Sequence, residues 1–233
     1  MARDEAWAVV PAAGSGTRMG GGPDAPAKQF RTLGGQPVLV RSLEALAAAP
    51  EVRGAVVVVA AHEVARVHQR LASSPAAAFV RAVVAGGDTR QASVARGVAA
   101  VPASVPVVIV HDAVRPFVRP ADVSAVVRAV VEHGAAALAV PVADTLRQSD
   151  GKTFGATVPR EALWRMQTPQ GARREDLAGA LAQADRDGWA GTDEVAVLQR
   201  AGAAVALVPG DERNLKLTRP ADWALAEALW AVR

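Results

Sequence analysis

Arg18 and Lys28 bracket a loop built almost entirely of small residues, Pro11-Ala12-Ala13-Gly14-Ser15-Gly16-Thr17-Arg18-Met19-Gly20, with Pro26-Ala27-Lys28-Gln29 shortly after it. The loop leaves Trp7-Ala8-Val9-Val10, a short apolar run that reads as a buried strand. With few side chains in the way, successive backbone N–H groups can converge on an anion, and glycine lets the main chain come close to a phosphate. Two positive charges beside such a loop match phosphoryl or nucleotidyl transfer, in which charge gathers on non-bridging oxygens and must meet preorganised donors.

Counting residues removes the lookalikes. A Walker A loop needs a lysine next to its last glycine, and Lys28 adjoins none. A dinucleotide fingerprint needs glycine where Met19 stands, and no acidic residue closes a second strand about 20 residues on. Short-chain dehydrogenase chemistry lacks its tyrosine, since the chain has none. His62-Glu63 has arginine at position 66 where a metalloprotease helix needs histidine, and no G-x-S-x-G elbow occurs.

Other residues with chemical potential lie in three further segments. Asp112, in His111-Asp112-Ala113-Val114-Arg115-Pro116, is placed to hold Mg²⁺, which takes one or two carboxylates plus substrate phosphates and water; capping a turn is the plainer role. Arg115 could grip a phosphate bidentately or pair with an acid. Asp88 and Ser93, around Gly86-Gly87, could read a base or ribose edge, or be an N-cap and an exposed serine. His111 reads as a satisfied core histidine.

The elements that must position these residues follow from periodicity. Val38 to Ala48 reads as a helix with proline in its first turn, and Gly54 to Ala60 as a continuous Val-rich strand of the kind parallel sheets bury on both faces. Helices at His62 to Ala72, Thr89 to Val101 and Asp122 to Glu132 alternate with strands at Phe79 to Val84, Pro106 to Val110 and Ala135 to Val140. This alternation predicts an α/β fold with a doubly wound, mostly parallel sheet and ligands at the carboxyl ends of its strands. The three suspect loops all leave such ends.

From Pro141 to Gln170 the rhythm breaks into a β-hairpin with no crossover helix, turning at Ser149-Asp150-Gly151. An isolated ribbon is marginal in water, so this protruding arm, at about 142–168, is expected to pack on a second subunit. Arg174 to Arg186 and Asp193 to Ala201 read as helices, the second capped by Thr192. Val205 to Val208 is a last strand, and Arg219-Pro220 opens a C-terminal helix.

At 233 residues, one domain over 1–233 is the expected organisation. The chain has no cysteine, which fits the cytoplasm, and no apolar run of membrane-spanning length. Its formal charge is only +3 and its arginines are interleaved with acids, so neither nucleic acid nor a membrane is an expected partner. Of 26 basic residues only Lys28, Lys152 and Lys216 are lysines, which suggests that a compact point charge is needed where lysine persists; Lys152 lies in the surface turn.

Taken together, the loop with Arg18 and Lys28, Gly86-Gly87-Asp88 with Ser93, the His111 to Pro116 segment, Pro141-Val142 with Asp144-Thr145, Thr168-Pro169-Gln170, and Asn214-x-Lys216-x-Thr218 resemble the 2-C-methyl-D-erythritol 4-phosphate cytidylyltransferase family nearly end to end. The resemblance implies a nucleotide-diphospho-sugar transferase-like, Rossmann-type fold and a homodimer. It implies an enzyme that joins CTP and methylerythritol phosphate, releases pyrophosphate and uses Mg²⁺ or another divalent cation. On it, Arg18 and Lys28 stabilise the transition state, while Arg160, from the arm, and Lys216 position the methylerythritol phosphate. Pro11, Ala12, Ala13, Gly14, Ser15, Gly16, Gly87, Asp88 and Ser93 hold CTP, and Arg115, Thr145 and Thr168 with the metal ligand Asp112 surround the sugar phosphate. Arg213 stands where relatives are expected to carry an acid, which leaves a second metal carboxylate unassigned. Ribitol 5-phosphate cytidylyltransferases share the His-Asp-Ala-Val-Arg-Pro-Phe style of segment. A non-catalytic nucleotide-binding module is the alternative of another class, but pure binding does not need Arg18, Lys28, Asp112 and Lys216 together.

Overall fold

Alternate residues of the central strands face opposite ways, and in this chain both faces are apolar. The computed structural model describes residues 4–14 and 26–232. Strand β1 (Ala6–Pro11) is followed by the short pair β2 (Thr32–Leu33) and β3 (Gln36–Pro37), then α1 (Val38–Ala47) and β4 (Val52–Val59). Next come α2 (Val64–Ala72), β5 (Val80–Ala85), α3 (Arg90–Ala99), β6 (Val107–Val110), α4 (Pro120–His133) and β7 (Ala135–Pro141). The arm is β8 (Leu146–Ser149) and β9 (Phe154–Val158). The chain ends with β10 (Trp164–Arg173), α5 (Arg174–Arg186), α6 (Glu194–Arg200), β11 (Ala206–Pro209) and α7 (Pro220–Ala231).

Seven strands form one sheet in the order β11-β7-β10-β6-β1-β4-β5. Val57 and Val59 of β4, Val10 and Ile109 pack with Leu39, Leu43 and Leu46 of α1 and with α2 and α4. Val56, Val58, Val9 and Val108 pack on the opposite face against α3, α5 and α6. Successive side chains thus bury on both faces, the pattern of a doubly wound sheet. Every neighbouring pair is parallel except those of β10, which runs antiparallel between β6 and β7. Because the chain moves from β1 outward to β4 and returns for β6 on the other side, the β1/β6 boundary is the switch point where a crevice opens.

Two corrections to the sequence reading arise here. Trp164 to Arg173 is a central strand paired with Pro141, Val140 and Ala139 from its first residues, so the arm leaves the sheet only between residues 142 and 163. The cap of α6 is Asp193, whose carboxylate accepts from the Ala196 N–H at 3.0 Å, and not Thr192. Asp and Thr are both good caps; the extended backbone at 193 decides it.

Helix α3 approaches the sheet closely at Gly97, where a Cβ would come within 2.8 Å of the Val58 side chain and also meet Val9. At the other end of α3 the turn from β5 lies against the end of β1, where a Cβ on Gly86 would come 3.0 Å from the Ala13 Cβ. Among the described residues no helix is long and apolar enough to cross a membrane.

Candidate active site

At the switch point a cleft of about 280 Å³ is lined by Pro11 to Gly14, Lys28 and Gln29, Gly87 to Arg90 and Ser93, Asp112 to Val114, and Lys216. Four segments far apart in sequence therefore meet there. The first follows β1, where the Ala12 N–H extends the pairing to Val58. Buried Gln29 donates through Nε2 to the carbonyls of Ala12 at 2.7 Å and Gly14 at 3.0 Å. This ties down two acceptors that would otherwise repel a phosphate. Lys28 enters the cleft from the single helical turn that carries Gln29.

The second segment joins β5 to α3. Thr89, not Asp88, caps the helix by accepting from the Ala92 N–H at 3.0 Å, which leaves Asp88 in the cleft wall. Ser93 is buried rather than exposed, and its Oγ accepts from the Gly87 N–H at 3.1 Å. A Cβ on Gly86 would sit 2.7 Å from that Oγ, so only glycine allows the turn to fold over Ser93.

The third segment leaves β6. His111 is fully buried between Thr168 Oγ1, 3.0 Å from its Nδ1, and the Arg115 carbonyl, 3.1 Å from its Nε2. Thr168 Oγ1 already accepts from the Asp112 N–H at 3.0 Å, so its own proton goes to Nδ1 and His111 carries its proton on Nε2. Burial pushes His111 down to about 4 from the usual 6.5, the hydrogen bonds and the Asp112 charge only partly opposing it. The unfolded chain therefore binds one more proton than the folded chain between those values. Stability from this residue is complete above pH 6.5 and is lost as pH falls toward 4, by on the order of 3 kcal/mol. Urea unfolding of wild type and His111→Gln from pH 7 to 4 is expected to show this slope in wild type and its flattening in the variant.

Asp112 is the electrostatic centre. Its Oδ2 lies 2.9 Å from Lys216 Nζ and 3.3 Å from Arg115 Nε, and its Oδ1 is 3.5 Å from Arg90. Burial works to raise this carboxyl, but Lys216, Arg90 and Arg115 outweigh it and hold it well below the usual carboxylate range. Arg115 stands behind Asp112, with its remaining donors on the carbonyls of Asn214 at 2.7 Å and Met166 at 3.4 Å. Acid pairing, the plainer of the two readings, is the role this geometry gives it. The fourth segment is pinned by Asn214 Nδ2 to the Thr168 carbonyl at 2.9 Å and by the Leu217 N–H to Val114. Lys216 is thereby delivered to Asp112.

The structure thus gathers Pro11 to Gly14, Lys28, Gly87, Asp88, Ser93, Asp112 and Lys216 around one cleft, with Thr168 and Arg115 just behind. Arg18, Ser15 and Gly16 lie outside the described residues. Thr145 and Arg160 are exposed on the arm and do not line the cleft within one chain; Arg160 donates to the Ala143 carbonyl at the arm's base. Sequence reading missed Arg90, which lines the cleft and meets the buried Glu194 through two hydrogen bonds of 2.6 and 3.0 Å. Its position two residues after Asp88 was the available signal. Among the described residues no group of three or more His, Cys, Asp or Glu could cage a metal. The carboxylates of Asp88 and Asp112 both line the cleft, and this sparse oxygen set suits Mg²⁺ arriving on phosphates.

Comparison with known proteins agrees with this geometry. The family model for 2-C-methyl-D-erythritol 4-phosphate cytidylyltransferase matches residues 6–231. The chain belongs to this cytidylyltransferase family. The cytidylyltransferase of Salinibacter ruber is 51% identical over 222 residues, covering 95% of this chain and 91% of that one. That of Deinococcus radiodurans is 47% identical, covering 95% and 88%. The crystal structure of the Thermus thermophilus cytidylyltransferase superposes with a TM-score of 0.81 at 36% identity, covering 97% of this chain and 99% of that one.

Proposed function

We propose that the chain transfers the cytidylyl group of CTP to 2-C-methyl-D-erythritol 4-phosphate, giving the diphosphocytidyl sugar alcohol and pyrophosphate, a step of non-mevalonate isoprenoid precursor synthesis. The observation that carries this reading is the convergence, in one cleft, of two Gly-rich turns with Lys28, Asp112 and Lys216. The ribose and base fit the Gly87 to Ser93 side, and the triphosphate the Ala12 to Gly14 side with Lys28. The acceptor phosphate faces Lys216. Its oxygen attacks the α-phosphorus of CTP, a new P–O bond forms, and the bond to the bridging oxygen breaks with its electron pair leaving on pyrophosphate.

The attacking group is already an anion, so no strong general base is required and the work is positioning and charge stabilisation. Lys28 and Arg18 meet charge at the α-phosphate, Lys216 orients the acceptor, and Asp112 holds Lys216 in place. Asp112, with Asp88 at hand, would hold Mg²⁺, which when bound supplies neutralisation of the triphosphate charge.

The working form in this reading is a cytoplasmic homodimer. Phe154 is 83% exposed on a two-stranded ribbon that has little core of its own. A partner subunit covering the arm would also bring Arg160 and Thr145 toward the opposite cleft. Phe154→Asp is expected to shift the dimer to monomer in a sedimentation dilution series, raising the dimer dissociation constant by tenfold or more, on the order expected for a lost aromatic anchor. A wild-type chain that sediments as monomer at all concentrations would refute the dimer.

Pyrophosphate release from CTP and Mg²⁺, run in parallel with methylerythritol 4-phosphate and ribitol 5-phosphate, tests the activity. Release with the former alone is expected. Release with ribitol phosphate alone would replace the acceptor, and release with neither would overturn the transferase reading.

A further inference from the structure

Arg90 and Glu194 are 104 residues apart and meet at the cleft wall. Glu194, on α6, is 2% exposed, and both of its oxygens are taken by Arg90 Nη1 and Nη2. The α6 start is locked to β10: Gln170 donates to Asp193 at 3.0 Å and accepts from the Val195 N–H at 3.1 Å. Arg90 also faces Asp112, but at 3.5 Å, whereas Lys216 holds that same carboxylate at 2.9 Å. Three cations, Lys216, Arg115 and Arg90, thus stand around one cleft carboxylate, and a second carboxylate, Glu194, holds the most distant of them.

We propose that Glu194 is a positioning residue that occupies Arg90 and so leaves Asp112 to Lys216. The inference rests on the transferase reading, in which Lys216 faces the acceptor phosphate. A guanidinium that is about two-thirds buried loses a desolvated partner when Glu194 is neutralised. With the Glu194 charge gone, the carboxylate still paired with Arg90 is Asp112, whose Oδ1 is 3.5 Å away, and a shift of well under 1 Å closes that ion pair to hydrogen-bond distance. Arg90 would then draw Asp112 away from Lys216, whose side chain is 42% exposed and free to swing toward solvent. The acceptor site would loosen although no residue touching the acceptor had changed.

A merely structural bridge between α6 and α3 makes a different prediction, namely lower thermal stability with unaltered acceptor kinetics. The test is steady-state turnover of CTP with methylerythritol 4-phosphate by the full chain, together with melting temperatures. Glu194→Gln is expected to raise the acceptor KM about tenfold, the size of one lost charge-assisted bond, with a smaller change in kcat. Adding Arg90→Gln in the same chain removes the stray cation and is expected to bring the acceptor KM back toward wild type. If Glu194→Gln does not fold, Glu194→Asp keeps the charge with a shorter reach and is expected to give a smaller rise in the same constant. An acceptor KM unmoved in Glu194→Gln or Glu194→Asp, or a double variant no better than Glu194→Gln, overturns the role of Glu194 while the transferase reading stands. A wild-type chain that turns over no acceptor overturns the transferase reading and this inference with it.

Discussion

Lys28→Ala is expected to fold, bind CTP and lose turnover by a factor on the order of 10² to 10³, the usual cost of removing one donor aimed at developing negative charge. The reasoning starts from position. Lys28 sits in the cleft wall on the turn whose Gln29 fixes the Ala12 and Gly14 carbonyls, so its backbone is held independently of its side chain. Truncating the side chain leaves Gln29, the Gly87 turn and Ser93 in place, and these are the cleft walls that the proposed function gives to the nucleotide. Ground-state binding therefore changes little, while charge that grows on the α-phosphate oxygens meets one cation fewer. Lys28→Arg is expected to recover only part of the loss, because a planar guanidinium does not reproduce a compact ammonium. Saturating pyrophosphate-release assays give kcat, and calorimetric titration gives CTP affinity. Unchanged turnover in Lys28→Ala would remove Lys28 from the chemistry.

The alternation of Val-rich strands with helices was legible because both faces of the sheet are apolar and the periods of the two element types differ. The three loops were legible because glycine, aspartate and proline cluster at strand ends. β10 was not. Trp164 to Arg173 holds Gln167, Thr168, Pro169, Gln170 and Gly171, has no Val or Ile, and pairs with β7 through an irregularity between Met166 and Gln170. Its place between β6 and β7 is set by tertiary contacts, including Thr168 beneath Asp112, and not by its own propensity. The Arg90–Glu194 pair was hidden for a related reason: neither residue sits in a pattern that predicts contact with the other. Thr168 was visible only as part of a resemblance, while its hydrogen bonds give it a physical task, orienting both His111 and the Asp112 backbone. For Arg160 and Thr145 the limit is the single chain: both are exposed on the arm and away from the cleft of their own chain, so a role at a neighbour's cleft belongs to the proposed dimer.

Asp112→Asn combines the two roles of its carboxylate and should separate them by pH. At neutral pH the variant is expected to lose turnover by 10² or more, the order seen when one preorganised electrostatic element is removed, because Lys216 is no longer held and, in the proposed reading, the cleft loses a carboxylate for Mg²⁺. It is also expected to lose about 3 to 5 kcal/mol of stability, since Arg115, Lys216 and Arg90 would face one another across a neutral amide. Asparagine resembles the protonated acid in size and charge. The folded carboxyl is held far below the unfolded value of 3.8, so its contribution is fully present above 3.8 and fades as pH falls below it. The stability gap between wild type and Asp112→Asn should therefore be constant from pH 7 to about 5 and narrow below 3.8 as wild type becomes protonated in its unfolded state. That window lies beneath the one assigned to His111, so the two can be told apart in a single series of unfolding curves with both variants. A gap that stays constant down to pH 3, or turnover retained in Asp112→Asn, would mean that Asp112 does not gather these cations in solution.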